Sequence, residues 1–353
     1  MLYETTKKGT IMSDFLRMMV KELKDENTTM ADDGTGSAEF GDFIDTGSYA
    51  LNAILSGSLY GGVPDNKVTA FAGESATGKT FFILGVVRSF LEKNPTGGVV
   101  YYETEAAITK SMMDDRDIDT SRVIIAEPDT IQKFKTHALK MIDAYDKQDE
   151  KTRPPMMFVL DSLGQLSTSK EMEDSLEGKD TRDMTKSQII KAAFRVLTLK
   201  LAKVKIPLLV TNHVYELVGS YVPTKELSGG TGLKYAASTI VMLSKRKEKD
   251  GADVIGNIIR VKMYKSRLSK ENSQIEVLLT YAKGLDRYYG LLELAEKYKI
   301  FKKVSTRYQL PDGSSCFGKN INEEPEKYYT ESVMALLEQA VQQEFKYGVD
   351  KDE

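Results

Sequence analysis

The chain has 353 residues, enough for one large core with short appendages at its ends. With 41% hydrophobic and 29% charged residues, no apolar run near the roughly 18 that a membrane span needs and no readable secretory leader, the composition predicts a soluble globular protein. The net charge of −3 gives no global pull on a polyanion, and one cysteine (Cys316) with two histidines (His137, His213) excludes an intramolecular disulfide and a Cys/His zinc cluster, so a reducing cytoplasmic setting is expected.

In chain order, Ser13 reads as an N-cap before Leu16, Met19, Val20 and Leu23, whose spacing predicts a short amphipathic helix. Its stripe packs either on its own domain or on a neighbouring copy, and the polar stretch Asp25–Phe40 reads as a flexible tether. From Lys67 onward, short apolar runs alternate with longer amphipathic stretches: Lys67–Ala72, Gly98–Tyr102, Val123–Ile125, Met156–Leu160, Ile206–Asn212, Thr239–Ser244, Ile259–Lys265 and Ile275–Tyr281. That alternation predicts an α/β fold with a mostly parallel sheet and helices on both faces. The last two runs leave no room for a helix between them, so antiparallel strands are expected there. Glu323–Glu353 reads as a small, helical, acidic tail, and no repeat of a solenoid or propeller is visible. The division expected is 1–40 for helix and tether, 41–295 for the core and 296–353 for a small C-terminal region.

Gly73, Glu74, Ser75, Ala76, Thr77, Gly78, Lys79 and Thr80 form a complete G-x-x-x-x-G-K-[ST] loop between a predicted strand and an amphipathic helix carrying Ile83, Val86, Val87 and Phe90. Backbone amides freed by the glycines, together with a helix N-terminus, make a cradle for phosphate oxygens. Lys79 would bridge the β- and γ-phosphates of ATP and Thr80 would ligate Mg²⁺. Asp161, closing the apolar run Met156–Leu160, suits the metal side of such a site, although an aspartate there can also cap a turn. Glu105 is the candidate to orient or deprotonate water if its strand lies beside the loop strand, with Glu103 as its rival.

The order GESATGKT, YYETE, FVLDS, LLVTNH, SGGTGLKYAAS resembles the RecA family of P-loop recombinases, and DSLGQLSTSKEMEDSLEGKDTRDMT is similar to its phage UvsX branch. The resemblance spans roughly Asp45 to Leu294. It implies a RecA-like core in which Glu105 is the catalytic glutamate, Asp161 the metal-linked aspartate and His213 the γ-phosphate sensor; without those motifs His213 would read as a core histidine. It further implies DNA-binding loops at about Ser167–Asp183 and Val214–Ser228. Neither is basic: Lys170–Ser187 holds four basic and six acidic residues, and Val214–Ser228 one and two.

By position, Gly229, Gly230 and Arg195 would hold DNA phosphates with Lys186 and Lys191 as helpers, while the glycines also fit a helix-entry turn. Lys245, Arg246, Lys247 and Lys249 read as a solvated hairpin tip, or a secondary duplex contact. Lys265 and Arg267, two apart on a strand, would share a face; the resemblance makes them cations reaching the ATP of an adjacent subunit, against the plainer reading of an exposed basic face. Met112 stands where the family often has an adenine-stacking tyrosine, and the short tail lacks the family's long acidic extension.

The resemblance implies an ATP-dependent recombinase that filaments on single-stranded DNA, pairs it with homologous duplex and hydrolyses ATP at subunit interfaces. Single-strand-binding and mediator proteins would be its partners, no membrane would be involved, and a phage-infected bacterial cytoplasm would be its setting. The alternatives are a ring-forming motor on the same core and a non-catalytic ATP-binding assembly or mediator protein.

Overall fold

The structure, a computed structural model, describes residues 2–25, 28–34, 36–179, 183–216, 225–250 and 253–349. A two-residue ribbon, β1 (Phe43–Ile44) with β2 (Val63–Pro64), precedes the main sheet. That sheet comprises β3 (Val68–Gly73), β4 (Gly98–Glu103), β5 (Val123–Ala126), β6 (Met156–Asp161), β7 (Leu208–Glu216), β8 (Lys225–Leu227), β9 (Thr239–Asp250), β10 (Asp253–Ser266), β11 (Gln274–Thr280) and β12 (Gly284–Leu285).

Their order is β5-β4-β6-β7-β3-β9-β10-β11-β12, with β8 appended to β7. Neighbours from β5 to β9 pair in parallel and those from β9 to β12 antiparallel, which is the change of direction expected from the sequence.

Strict alternation along the central strands builds two cores, one on each face. Phe71, Val99, Tyr101, Met157 and Val159 join the helix Lys79–Lys93 on one side. Ala70, Ala72, Val100, Tyr102, Phe158 and Leu160 face Phe134 and Ile142 of the helix Ile131–Asp146 and Phe194 and Leu197 of the helix Lys186–Val204 on the other.

The C-terminal region adds a three-stranded meander, β13 (Lys302–Val304), β14 (Arg307–Gln309) and β15 (Ser315–Phe317), and the helix Glu331–Phe345. This helix accounts for the expected helical tail, and it buries Val333, Leu337, Val341 and Phe345 in the same core as the helix Lys79–Lys93. Residues 350–353 of the expected tail lie outside the described residues.

At the N-terminus the helix runs Leu2–Leu23, so Ser13 is internal and is not its cap. Of the expected stripe, Leu16, Met19 and Leu23 are 44–61% exposed and Val20 is half-buried, with Phe15 beside them 50% exposed, so most of the stripe is uncovered in the single chain. The segment read as a tether holds two 3-10 turns, Ala31–Asp33 and Gly36–Ala38, and fixed contacts: Arg17 pairs with Asp32 and Asp33 at 2.7 and 2.8 Å, and Asn66 and Lys67 both donate to the Glu39 carbonyl at 2.7 Å. Residues 26, 27 and 35 of that segment lie outside the description. No helix among the described residues is long and apolar enough to cross a membrane.

Candidate nucleotide site

The parallel strands bring their carboxyl ends to one edge, where β3 stops at Gly73 between His213 of β7 and Leu243 of β9. A Cβ at Gly73 would lie 2.7 Å from Thr77 Oγ1 and 2.8 Å from the Leu243 carbonyl oxygen, so only glycine lets the chain turn here. Ala76 and Gly78 take left-handed φ values of 56° and 86°, Thr77 donates to the Glu74 carbonyl at 2.9 Å, and the helix Lys79–Lys93 points its free amides at the loop. Lys79 is buried and donates to the carbonyls of Gly73 and Glu74 at 3.2 and 2.9 Å. Burial pulls its ammonium below the ordinary value, against the attraction of Glu105 and Asp161.

Asp161, 3% exposed, does not cap a turn. Its Oδ2 accepts from Thr80 Oγ1 at 2.8 Å and Tyr101 OH at 2.7 Å, and its Oδ1 from Thr211 Oγ1. Burial, then the Asp161 charge, drives the Tyr101 phenol well above its usual range, so it remains a donor.

The expectation that the Glu105 strand adjoins the loop strand is wrong: β6 and β7 lie between β4 and β3. Glu105 nevertheless reaches the loop's mouth, because the turn after β4 leans back over the ends of those strands. The Thr104 amide donates to the Asp161 carbonyl at 2.9 Å, and Thr104 Oγ1 exchanges bonds with the Ser162 carbonyl and amide at 2.8 Å. Glu105 Oε1 meets His213 Nε2 at 2.9 Å, which takes His213 out of the core reading. Burial alone would raise the Glu105 carboxyl, but the adjacent Ser162 and His213 and the Lys79 charge prevail and hold it below the ordinary 4.5. Glu103 has a different environment: it is buried, and its carboxylate accepts the amides of Glu105, Ala106 and Ala107.

Ser75, Gly78, Lys79, Thr80, Glu105 and His213 together line a cavity of about 330 Å³. The sequence reading missed its far wall, Asn257, Leu279 and Tyr281 of the antiparallel strands and the turn after them, and Lys245, which donates to the Ala76 carbonyl at 2.7 Å. The basic run 245–249 is solvent-exposed at the outer end of the β9–β10 hairpin, as expected, but not all of it is free. It lies within β9, where Lys245 follows Leu243 by two residues and so reaches toward the loop, while Arg246 pairs with Glu276 at 2.8 Å. Alternation past a strand beside β3 is the signal that could have found Lys245.

A second cavity of about 740 Å³ shares Phe81, Leu279 and Tyr281 with the first. Arg116 covers the Phe81 ring at 4.2 Å and donates to the Met112 carbonyl at 2.6 Å. Met112 itself is half-buried and lines neither cavity. Among the described residues no group of three His, Cys, Asp or Glu side chains could hold a metal; the hard oxygen donors lining the cavity include Thr80 and Glu105, with the buried Asp161 behind Thr80.

The remaining candidates stand apart from this cavity. Lys265 Nζ caps the helix Thr231–Ala236, donating to the carbonyls of Lys234 and Ala237 at 2.6 and 2.8 Å. Burial, then the neighbouring Arg267, lowers its pKa. Arg267 is exposed one residue past β10, so the strand from which a shared face with Lys265 was inferred ends before it.

Lys186 pairs with Glu171 at 3.2 Å, Lys191 lies 5.4 Å over the Tyr235 ring and Arg195 is exposed, all on the helix Lys186–Val204. Gly229 and Gly230 form the entry turn of the helix Thr231–Ala236 with φ of 78° and 76°, where a side chain would strike Ile190 and Ser187. That close approach accounts for glycine at both positions without a ligand. The two expected loops are partly regular: Ser169–Leu176 is a helix with a Thr168/Glu171 capping box, and β7 and β8 frame the second, while residues 180–182 and 217–224 lie outside the description.

Residues 16–286 match the family model described as the RecA N-terminal domain. The chain is 31% identical over 72% of its length to the recombination and repair protein of enterobacteria phage T4, spanning 63% of that protein. It is 26% identical to Protein RecA of Malacoplasma penetrans over 79% of this chain and 84% of that one, and 28% identical to Protein RecA of Deinococcus radiodurans over 78% and 73%.

Proposed function

Because this chain belongs to the RecA N-terminal domain family, we propose that it is an ATP-dependent recombinase that polymerises on single-stranded DNA, pairs it with homologous duplex and hydrolyses ATP where subunits meet. The observation that carries the reading is one cavity lined by the phosphate loop and the Glu105–His213 pair at 2.9 Å, with the buried Asp161 behind Thr80 at 2.8 Å.

In this reading the loop amides and Lys79 grip the triphosphate, and the base lies in the adjoining cavity against Phe81 and Arg116. Thr80 and Asp161 suit Mg²⁺ as hard oxygen donors, and that ion supplies charge neutralisation on the transferred phosphoryl group. Glu105, a carboxylate whose pKa is held below its ordinary value, orients and deprotonates water. His213 senses the γ-phosphate and relays its state along the chain: the Ser228 amide donates to its carbonyl at 2.9 Å, immediately before Gly229. Gly229, Gly230 and Arg195, with Lys186 and Lys191, serve DNA. Lys265 and Arg267 complete a neighbour's site, and the exposed stripe of the N-terminal helix covers an adjacent copy.

ATP hydrolysis measured with and without single-stranded DNA tests this. Stimulation of about tenfold or more is the expected result, together with association that tightens when ATP is supplied. A chain that hydrolyses ATP equally in both conditions, or that stays monomeric with ATP and DNA, is not this recombinase.

A further inference from the structure

The buried carboxylate of Glu103 is not used by the mechanism above. It ends β4, is 4% exposed and does not line the nucleotide cavity. Its Oε1 accepts the amides of Glu105 at 2.9 Å and Ala107 at 3.2 Å, and its Oε2 that of Ala106 at 2.7 Å. Successive amides converging on one anion form a nest, which elsewhere holds phosphates; here the anion is the chain's own side chain. Ala106 takes a left-handed φ of 53° inside this turn, a conformation that strains an L-residue and that the three charge-assisted bonds offset. Thr104 ties the turn to β6 from the opposite side. Glu105 therefore leaves a turn fixed at two places, with its carboxylate at 2.9 Å from His213.

We propose that Glu103 is a positioning residue: it is too engaged to act as the base, and it acts through the 104–107 turn by holding Glu105 at the mouth. The proposal rests on the reading that Glu105 serves hydrolysis.

Glutamine at 103 keeps the size but turns one acceptor oxygen into a donor that faces an amide N–H. With the full chain, DNA and Mg-ATP, Glu103→Gln is expected to lower kcat by about 10- to 100-fold while the Kd for ATP changes less than about twofold. In a Glu105→Gln background the same substitution is expected to cost less than about twofold more. Losses that multiply in the double variant overturn the proposal, as does parental kcat in Glu103→Gln or a loss of ATP affinity matching the loss of rate. A second measurement needs no variant: the amides of Ala106 and Ala107 in the parent chain are expected to exchange hydrogen slowly, and exchange at loop rates overturns the nest. A parent chain that neither binds nor hydrolyses ATP overturns the nucleotide reading and this inference with it.

Discussion

The two halves of the candidate machinery are built in opposite ways. Around the phosphate loop every charged group has a partner inside the chain: Lys79 on the loop carbonyls, Asp161 on three hydroxyls and Glu105 on His213. At the end of β10, Arg267 stands exposed, and Lys265 is spent on the end of a short helix rather than on any phosphate site of its own chain. The difference follows from burial. A charge in the interior must be neutralised or hydrogen-bonded at once, whereas a charge in water can wait for a second molecule.

The largest effects test whether those halves meet across subunits. Glu105→Gln and Arg267→Ala are each expected to lower kcat by about 10²- to 10⁴-fold. Mixing the two inactive chains should restore part of the DNA-stimulated rate, because some interfaces then carry an intact residue from each side; a mixture no more active than its components breaks the comparison. Gly232→Ala is expected to cost about 1–3 kcal/mol in thermal or denaturant melts, since the added carbon would lie 2.7 Å from the Lys191 amide nitrogen. It should loosen the helix that Lys265 caps while leaving ATP affinity unchanged, and a loss of affinity would mean that the two halves are coupled within one chain.

The smallest effect belongs to Asp65, in the turn between β2 and β3. Burial, reinforced by the Asp42 charge, raises its folded pKa, and its Oδ1 has no partner. A raised carboxyl penalises the folded state above its pKa, so Asp65→Asn is expected to raise the melting midpoint at neutral pH by about 1–2 °C. The gain should vanish as pH falls through the carboxylate range. A gain that persists in acid would assign the effect to packing instead.

Much of the fold was legible because buried parallel strands leave continuous apolar runs, so all eight predicted strands have counterparts. β9 extends six residues beyond the prediction, where Lys245 to Asp250 are all charged and give no apolar signal, and β10 begins six residues before the prediction. The short strands β1, β2, β8 and β12 are set by tertiary pairing and escaped notice. In the site, a strict motif gave the loop, and the end of an apolar run pointed to Asp161. The place of Glu105 depended on a turn folded around Glu103, and that of Lys245 on strand order, neither of which spacing encodes. Ser13 misled because a serine tolerated inside a helix looks like a cap until the preceding turns are seen.

The uncovered stripe on the N-terminal helix has a practical consequence at the bench. Phe15, Leu16, Met19 and Leu23 set a greasy ridge against water, so the lone copy is colloidally uneasy, and its behaviour in a test tube will shift with protein concentration and with salts that strengthen apolar attraction.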